Sequence, residues 1–245
     1  MNYIIIGIVV VLVSISIGVA VYLSQQSDSS SESSGSVGSS GSADGSSGSA
    51  DGSSGSAVSS GSADGSSAYI PFSAGSQTAT GGSDWGGGNT IYLDRHNVDC
   101  GNKALNELHL NRPTGDQIQW QYTCADGKLG SPSAKTTPAN DDGGGNTIYL
   151  DRHDADCGTG NVMTRLHLSR PTGNQIQWQY SCAPSTQSKP LTCRKVTTGA
   201  NEDGGGNTIY LDRHDIKCNP NEAISRVHLT RPSGNQIQWE YTCCS

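Results

Sequence analysis

The sequence predicts an all-β fold of three pseudo-equivalent, disulfide-bonded units, set behind an apolar segment and a low-complexity linker. Three observations predict it. The phrase GGGNTIYLDRH occurs three times, at 86–96, 143–153 and 204–214. The segments after each copy alternate apolar and polar residues with a period of two, which marks half-buried strands. All 8 cysteines lie in this C-terminal part, most of them at two fixed places in each copy.

Taken in chain order, residues 1–23 read as a transmembrane anchor. The run IIIGIVVVLVSISIGVAVYL at 4–23 carries no charge, and as a helix it spans about 30 Å, the thickness of a bilayer's hydrocarbon core. Ser14 and Ser16 can return their hydroxyls to helix carbonyls. A cleaved signal peptide is the competing reading. The missing Lys or Arg before the run, its length and the lack of a small-x-small site before Ser24 favour an uncleaved anchor. No basic residue flanks the run, so charge does not orient it.

Residues 24–67 repeat SGSADGSS and hold almost nothing that can be buried. Such a segment cannot offset its own ordering entropy, and a Gly/Ser coil of this length has a root-mean-square span of about 35–40 Å. It reads as a disordered tether.

Residues 68–245 form the β domain, with repeat cores at 86–124, 143–182 and 204–243. In QIQWQYTC, Ile118, Trp120, Tyr122 and Cys124 alternate with Gln117, Gln119, Gln121 and Thr123. ELHLNR places Leu108 and Leu110 opposite His109, and RPTG or RPSG supplies the turn between these strands. TIYLDRH also reads as a strand, with Ile91 and Leu93 on one face. Aligned backward from each GGG, the linkers share Thr80, Thr137 and Thr198, and SQTAT, AKTTP and KVTTG read as a fourth short element. The segment before the first copy replaces the one missing after the last, as a closed threefold domain requires. About twelve short strands in a β-prism or β-trefoil arrangement follow, with a row of separate modules as the alternative.

The cysteines follow the repeat. Cys100 pairs with Cys124, Cys157 with Cys182 and Cys218 with Cys243, each bridge worth about 3 kcal/mol by loop closure. Cys193 and Cys244 are left to pair with each other. Even number and regular spacing predict an oxidising, extracytosolic compartment, or a particle that matures by oxidation. The sequence has no Asn-x-Ser/Thr sequon.

The pattern of a cysteine, an alternating strand and W-x-Y-x-C (Trp120 to Cys124, Trp178 to Cys182, Trp239 to Cys243) resembles the disulfide-bonded repeats of dermatopontin-like extracellular proteins. It covers the back half of each unit; the DRH phrase and the RPTG turn lie outside it. The resemblance implies binding of matrix components or carbohydrate, without catalysis. The layout of anchor, Ser/Gly tether and tandem β-repeats resembles that of virion membrane proteins of large icosahedral DNA viruses. It implies a minor capsid role, with membrane lipid and shell proteins as partners.

All 6 histidines lie in the repeats: His96, His153 and His214 in DRH, and His109, His167 and His228 in the LHL or VHL strand. Asp94, Asp151 and Asp212 stand two residues before the first set, which on a strand would share a face with it. Two ligands do not complete a zinc site, so bracing of the strand end is the preferred reading and no metal or other cofactor is expected. Catalysis by Asp-Arg-His lacks a recurring nucleophile, so no enzyme is expected. GGGNT lacks the Lys-Ser/Thr of a phosphate loop. A net charge of −7 without a basic run leaves no footprint for nucleic acid. Arg95, Arg152, Arg213, Arg112, Arg170 and Arg231 read as partners of Asp or of carbonyls.

The candidate binding face is Gln117, Gln119 and Gln121, matched by Gln175, Gln177 and Gln179 and by Gln236 and Gln238, with Glu240 completing the third row. Repeated amides suit sugar hydroxyls, although a solvated sheet face has the same pattern. Two function classes remain: a structural protein tying a membrane to an outer shell, and a multivalent surface adhesin for glycans or proteins.

Overall fold

The computed structural model describes residues 69–245. The expected anchor, 1–23, and the whole of the expected tether, 24–67, lie outside the described residues; among those described, no helix is long and apolar enough to cross a membrane.

Each unit contributes five strands. The first holds β1 (Ser73–Ala79), β2 (Ser83–Asp84), β3 (Asn97–Asp99), β4 (Ala104–Asn111) and β5 (Gln117–Asp126). The second holds β6 (Ser133–Thr136), β7 (Asn140–Asp141), β8 (Asp154–Asp156), β9 (Asn161–Thr172) and β10 (Gln175–Pro184). The third holds β11 (Cys193–Thr197), β12 (Asn201–Glu202), β13 (Asp215–Lys217), β14 (Ala223–Ser233) and β15 (Gln236–Cys244). The long hairpins β4–β5, β9–β10 and β14–β15 form where the period-two pattern predicts them, with Ile118, Trp120, Ile176, Trp178, Ile237 and Trp239 buried. The fourth short element is β1, β6 or β11, paired along the outer side of the third strand in each unit.

The three antiparallel sheets are not the three sequence repeats. The three-residue strand after each DRH leaves its own unit and pairs with the next. β3 joins β9, β8 joins β14, and β13 returns to β4 of the first unit. A row of separate modules is thereby excluded, because every sheet borrows an edge. Polar pairs pin the borrowed strands: Lys217 to Glu107 at 3.0 Å, Arg165 to Asn97 at 2.8 Å, and Arg226 to Asp154 at 2.7 Å.

The disulfides fasten this exchange. All four expected pairs form. Cys100 donates its N–H to Thr164 O on the neighbouring sheet while its sulfur is bonded to Cys124 of its own unit. Cys157 and Cys218 make the corresponding contacts with Ser225 O and Asn106 O. Each bridge therefore joins two sheets, although its cysteines belong to one repeat. Cys193 and Cys244 face each other across β11 and β15.

TIYLDRH is the main correction. It forms a 3₁₀ turn, Thr90–Arg95 in the first unit and Thr147–Arg152 and Thr208–Arg213 in the others. Ile91 and Leu93 do alternate with polar residues, but burial follows a period of three: Thr90, Leu93 and His96 are inside. That is the period of a 3₁₀ helix. Asn89 starts the turn by accepting the Ile91 N–H at 3.0 Å on its side chain, as Asn146 and Asn207 do for Ile148 and Ile209. Among the described residues the strand count is fifteen rather than about twelve.

One core runs through all three units, with Leu93, Leu150 and Leu211 beside Leu108, Leu166 and Val227. At its centre Thr90, Thr147 and Thr208 form a closed triangle of hydroxyls, with Oγ1 separations of 2.7, 2.8 and 2.9 Å. Each hydroxyl can donate once and accept once around the ring, so three fully buried polar groups satisfy one another. A second cluster gathers Ala104, Val162 and Ala223, the equivalent starts of β4, β9 and β14, with Phe72 and Ala125.

Candidate functional site

The glycines before each turn bring the three units together. Gly88, Gly145 and Gly206 have φ of +93°, +86° and +87°. A Cβ at Gly145 would overlap the Asn89 side chain, one at Gly206 that of Asn146, and one at Gly88 that of Asn207. The cap of one turn thus rests on the glycine of the next unit, which closes a ring. Around it the three GGGN segments line an open hollow of about 540 Å³. Most of its N–H groups are already committed: Gly144 donates to Asp142, Gly205 to Asp203, and Gly86 and Gly143 to Asp84 and Asp141. The hollow is not a phosphate cradle.

Buried His96 belongs to a relay. The Trp120 N–H donates to Thr80 Oγ1 at 3.0 Å, which leaves the threonine proton for His96 Nδ1 at 2.9 Å. His96 Nε2 then donates to Ser83 Oγ at 2.8 Å. Thr137 and Thr198 repeat the arrangement with Trp178 and His153, and with Trp239 and His214. In those units the place of Ser83 is taken by Asn140 and Asn201, whose amides turn to Pro138 O and Gly199 O. Burial holds all three imidazoles below the ordinary histidine range, and the adjacent Arg95, Arg152 or Arg213 lowers each further. These histidines brace the linker against the long hairpin. The expectation that Asp94 and His96 share a face fails because the 3₁₀ turn sends His96 inward and leaves Asp94 half-buried at the surface.

The second histidine set lies on the sheets. His109 Nδ1 faces His214 O at 3.4 Å, His167 Nδ1 faces His96 O at 3.2 Å, and His228 Nε2 faces Asp151 O at 2.9 Å. Each sits at a boundary between units. Among the described residues one group places three ligand atoms within 4.8 Å of one another: Cys218, Glu222 and Cys243. The two sulfurs are bonded to each other and Glu222 makes a two-point pair with Arg194 at 2.8 and 2.7 Å, so the donor set suits no metal.

The Gln face is arranged as the alternation predicts. Gln121, Gln179 and Glu240 stand across from His109, His167 and His228, and Gln119, Gln177 and Gln238 across from Asn111, Ser169 and Thr230. Gln117 is exposed, whereas Gln119, Gln121, Gln175, Gln177, Gln179, Gln236 and Gln238 are half-buried within sheets that have strands on both sides.

A feature absent from the sequence reading forms where two units meet. Arg112 Nε lies 2.9 Å from Asp212 Oδ2. On one side of this pair a hollow of about 490 Å³ is lined by His109, Asn111 and Thr114; on the other, one of about 500 Å³ is lined by Ile209, Tyr210 and Arg213. Arg213 lies flat on Tyr210, 4.1 Å from the ring centroid, and Arg95 on Tyr92 and Arg152 on Tyr149 do the same at the same distance. The other side of each ring packs on Gly86, Gly143 or Gly204, where no Cβ would fit.

A scan against protein-family models found no match, and searches of curated proteins and of solved structures found none either.

Proposed function

We propose that the chain is a non-enzymatic, membrane-anchored structural protein that links a membrane to an outer shell, in the manner of a minor capsid or virion membrane protein. In this reading residues 1–23 cross the bilayer, 24–67 act as a leash, and the described domain is the shell-side body on the oxidising face. Its three sheets are arranged as a prism about the threonine triangle rather than as a trefoil. The observation that carries the reading is the closed exchange of strands, each exchange crossed by a disulfide. Such a body resists pulling and proteolysis, which suits a tie under load, and its hollows are open surface grooves instead of a water-excluding reaction chamber. Virion membranes or cell envelopes treated with alkaline carbonate should retain the full chain, and limited protease should release an intact disulfide-bonded body by cutting within 24–67. In purified particles it should occur at fixed stoichiometry. Free solubility of the uncut chain would count against the anchor, and its absence from any enveloped particle or surface fraction against the shell role.

A second reading, a surface-recognition protein for glycans or proteins, is supported by one specific observation: the charged and aromatic residues of the boundary groove, His109, Arg112, Tyr210, Asp212 and Arg213, are of types that all three units retain.

A further inference from the structure

The three copies within this chain have diverged at many exposed positions. Asp99 corresponds to Asp156 and Lys217, Asn97 to Asp154 and Asp215, and Asp116 to Asn174 and Asn235. Packing explains why buried positions stay fixed. It does not explain the exposed Arg95, Arg152 and Arg213, or the partly exposed Tyr92, Asp94 and their equivalents, which are the same in every copy. In the exposed turn Arg170 and Arg231 donate to Gly173 O and Gly234 O of their own turns, whereas Arg112 reaches across the boundary to Asp212. These unchanged surface residues converge on the boundary groove, with Tyr210, Asp212 and Arg213 from one unit and His109 and Arg112 from the next.

The chemistry of the groove is specific. Arg213 is held over the Tyr210 ring, and among the described residues it has no carboxylate within ion-pair distance. Its planar fork of N–H donors is therefore oriented and unspent, the form in which arginine best grips an oxyanion. Arg112 adds a second guanidinium. Asp212 between them is an acceptor, so the groove combines two cationic donors with one carboxylate. A bare polyanion would meet repulsion from Asp212, and a neutral sugar would leave the Arg213 fork unused. A sugar residue bearing both hydroxyls and an acid group satisfies both.

We infer that the groove between the last unit and the first, built on Tyr210, Asp212 and Arg213 with His109 and Arg112, is a binding site for an acidic saccharide residue. The acid group sits on the Tyr-stacked arginine, and a hydroxyl donates to the aspartate. This inference rests on the recognition reading, and it moves the site from the Gln face to the unit boundary.

The test uses the full chain in detergent against immobilised polygalacturonate, heparin and neutral dextran, with inorganic sulfate as competitor. Retention on the acidic polymers but not on dextran is expected, with a loss of at least tenfold in Arg213→Gln and an unchanged melting temperature. Arg213→Lys, which keeps charge and discards the stacked fork, should fall between. Binding that survives these changes but is lost in Gln119→Ala, Gln177→Ala, Gln238→Ala would overturn the groove and leave the recognition reading standing. Absence of saccharide binding by the folded protein would overturn both. Equal displacement by millimolar sulfate, or equal retention on single-stranded DNA with the same arginine dependence, would overturn the saccharide class.

Discussion

Thr90, Leu93 and His96 face inward from the same short turn that sends Tyr92, Asp94 and Arg95 outward, and both sets recur unchanged in every unit. The inward set is accounted for by what it touches: a hydroxyl triangle, a common core and the Thr80 relay. The outward set touches little beyond itself, a ring held between Gly86 and Arg95 with Asp94 beside it. Identical repetition therefore has two causes within one phrase. Substitutions on the inner side should cost stability, and those on the outer side should cost a contact outside the molecule.

The largest expected effect separates two neighbouring glycines. Gly145→Ala forces a Cβ into the Asn89 side chain at φ +86° and breaks the ring between units, with an expected loss of about 2–4 kcal/mol. Gly144→Ala meets open space and bears only the left-handed strain at φ +70°, about 1–2 kcal/mol. Denaturant unfolding of the two variants measures the difference, and equal losses would remove the Asn–Gly contact from the account.

Next comes the hydroxyl triangle. Thr90→Val leaves two buried hydroxyls with a broken circuit and should cost about 1–3 kcal/mol, whereas changing Thr90, Thr147 and Thr208 together removes every polar group at the centre and should cost less than three times the single change. Strict additivity in a thermal series would show that the three hydroxyls do not act as a unit.

The relay histidines predict acid sensitivity. Their folded pKa values lie below the ordinary value of about 6.5. The unfolded chain therefore binds protons first as pH falls, and the stability contributed by neutral His96, His153 and His214 is full above that value and declines below it. Melting temperature should drop from pH 7 to pH 5, and His153→Gln should flatten the drop. A drop of the same size in the triple His→Gln variant would assign it to other groups; Glu222, whose carboxyl is held down by its hydrogen bond from Arg194, loses its contribution only as pH falls below the ordinary carboxylate value of about 4.5. The smallest effect belongs to the outer side: Arg95→Gln should change stability by no more than about 0.5 kcal/mol.

How much of this was legible in the sequence depends on range. The strands around ELHLNR and QIQWQYTC and the three disulfides within repeats follow from alternation and spacing, because their partners are near in the chain; Cys193 and Cys244, 51 residues apart, are matched only as the two left over. Thr80, Thr137 and Thr198 were visible as a shared position, but nothing local says that each would carry a tryptophan N–H to a histidine. NVD, DAD and DIK are too short to declare themselves as strands, and their partners lie a unit away. The turn was misread because Ile91 and Leu93 satisfy a period of two while Thr90, Leu93 and His96 satisfy a period of three. The groove could not be read locally at all, since Asp212 and Arg112 are neighbours only after β13 crosses to β4.

That crossing is the centre of the account, and native-state hydrogen exchange tests it most directly. The amides of Ile216 in β13 and Leu108 in β4 should exchange only with global unfolding, as slowly as those of Val98 with Leu166 and Ala155 with Val227. Fast exchange along Asp215–Lys217 while the other two junctions stay protected would mean that the ring is open between its last unit and its first.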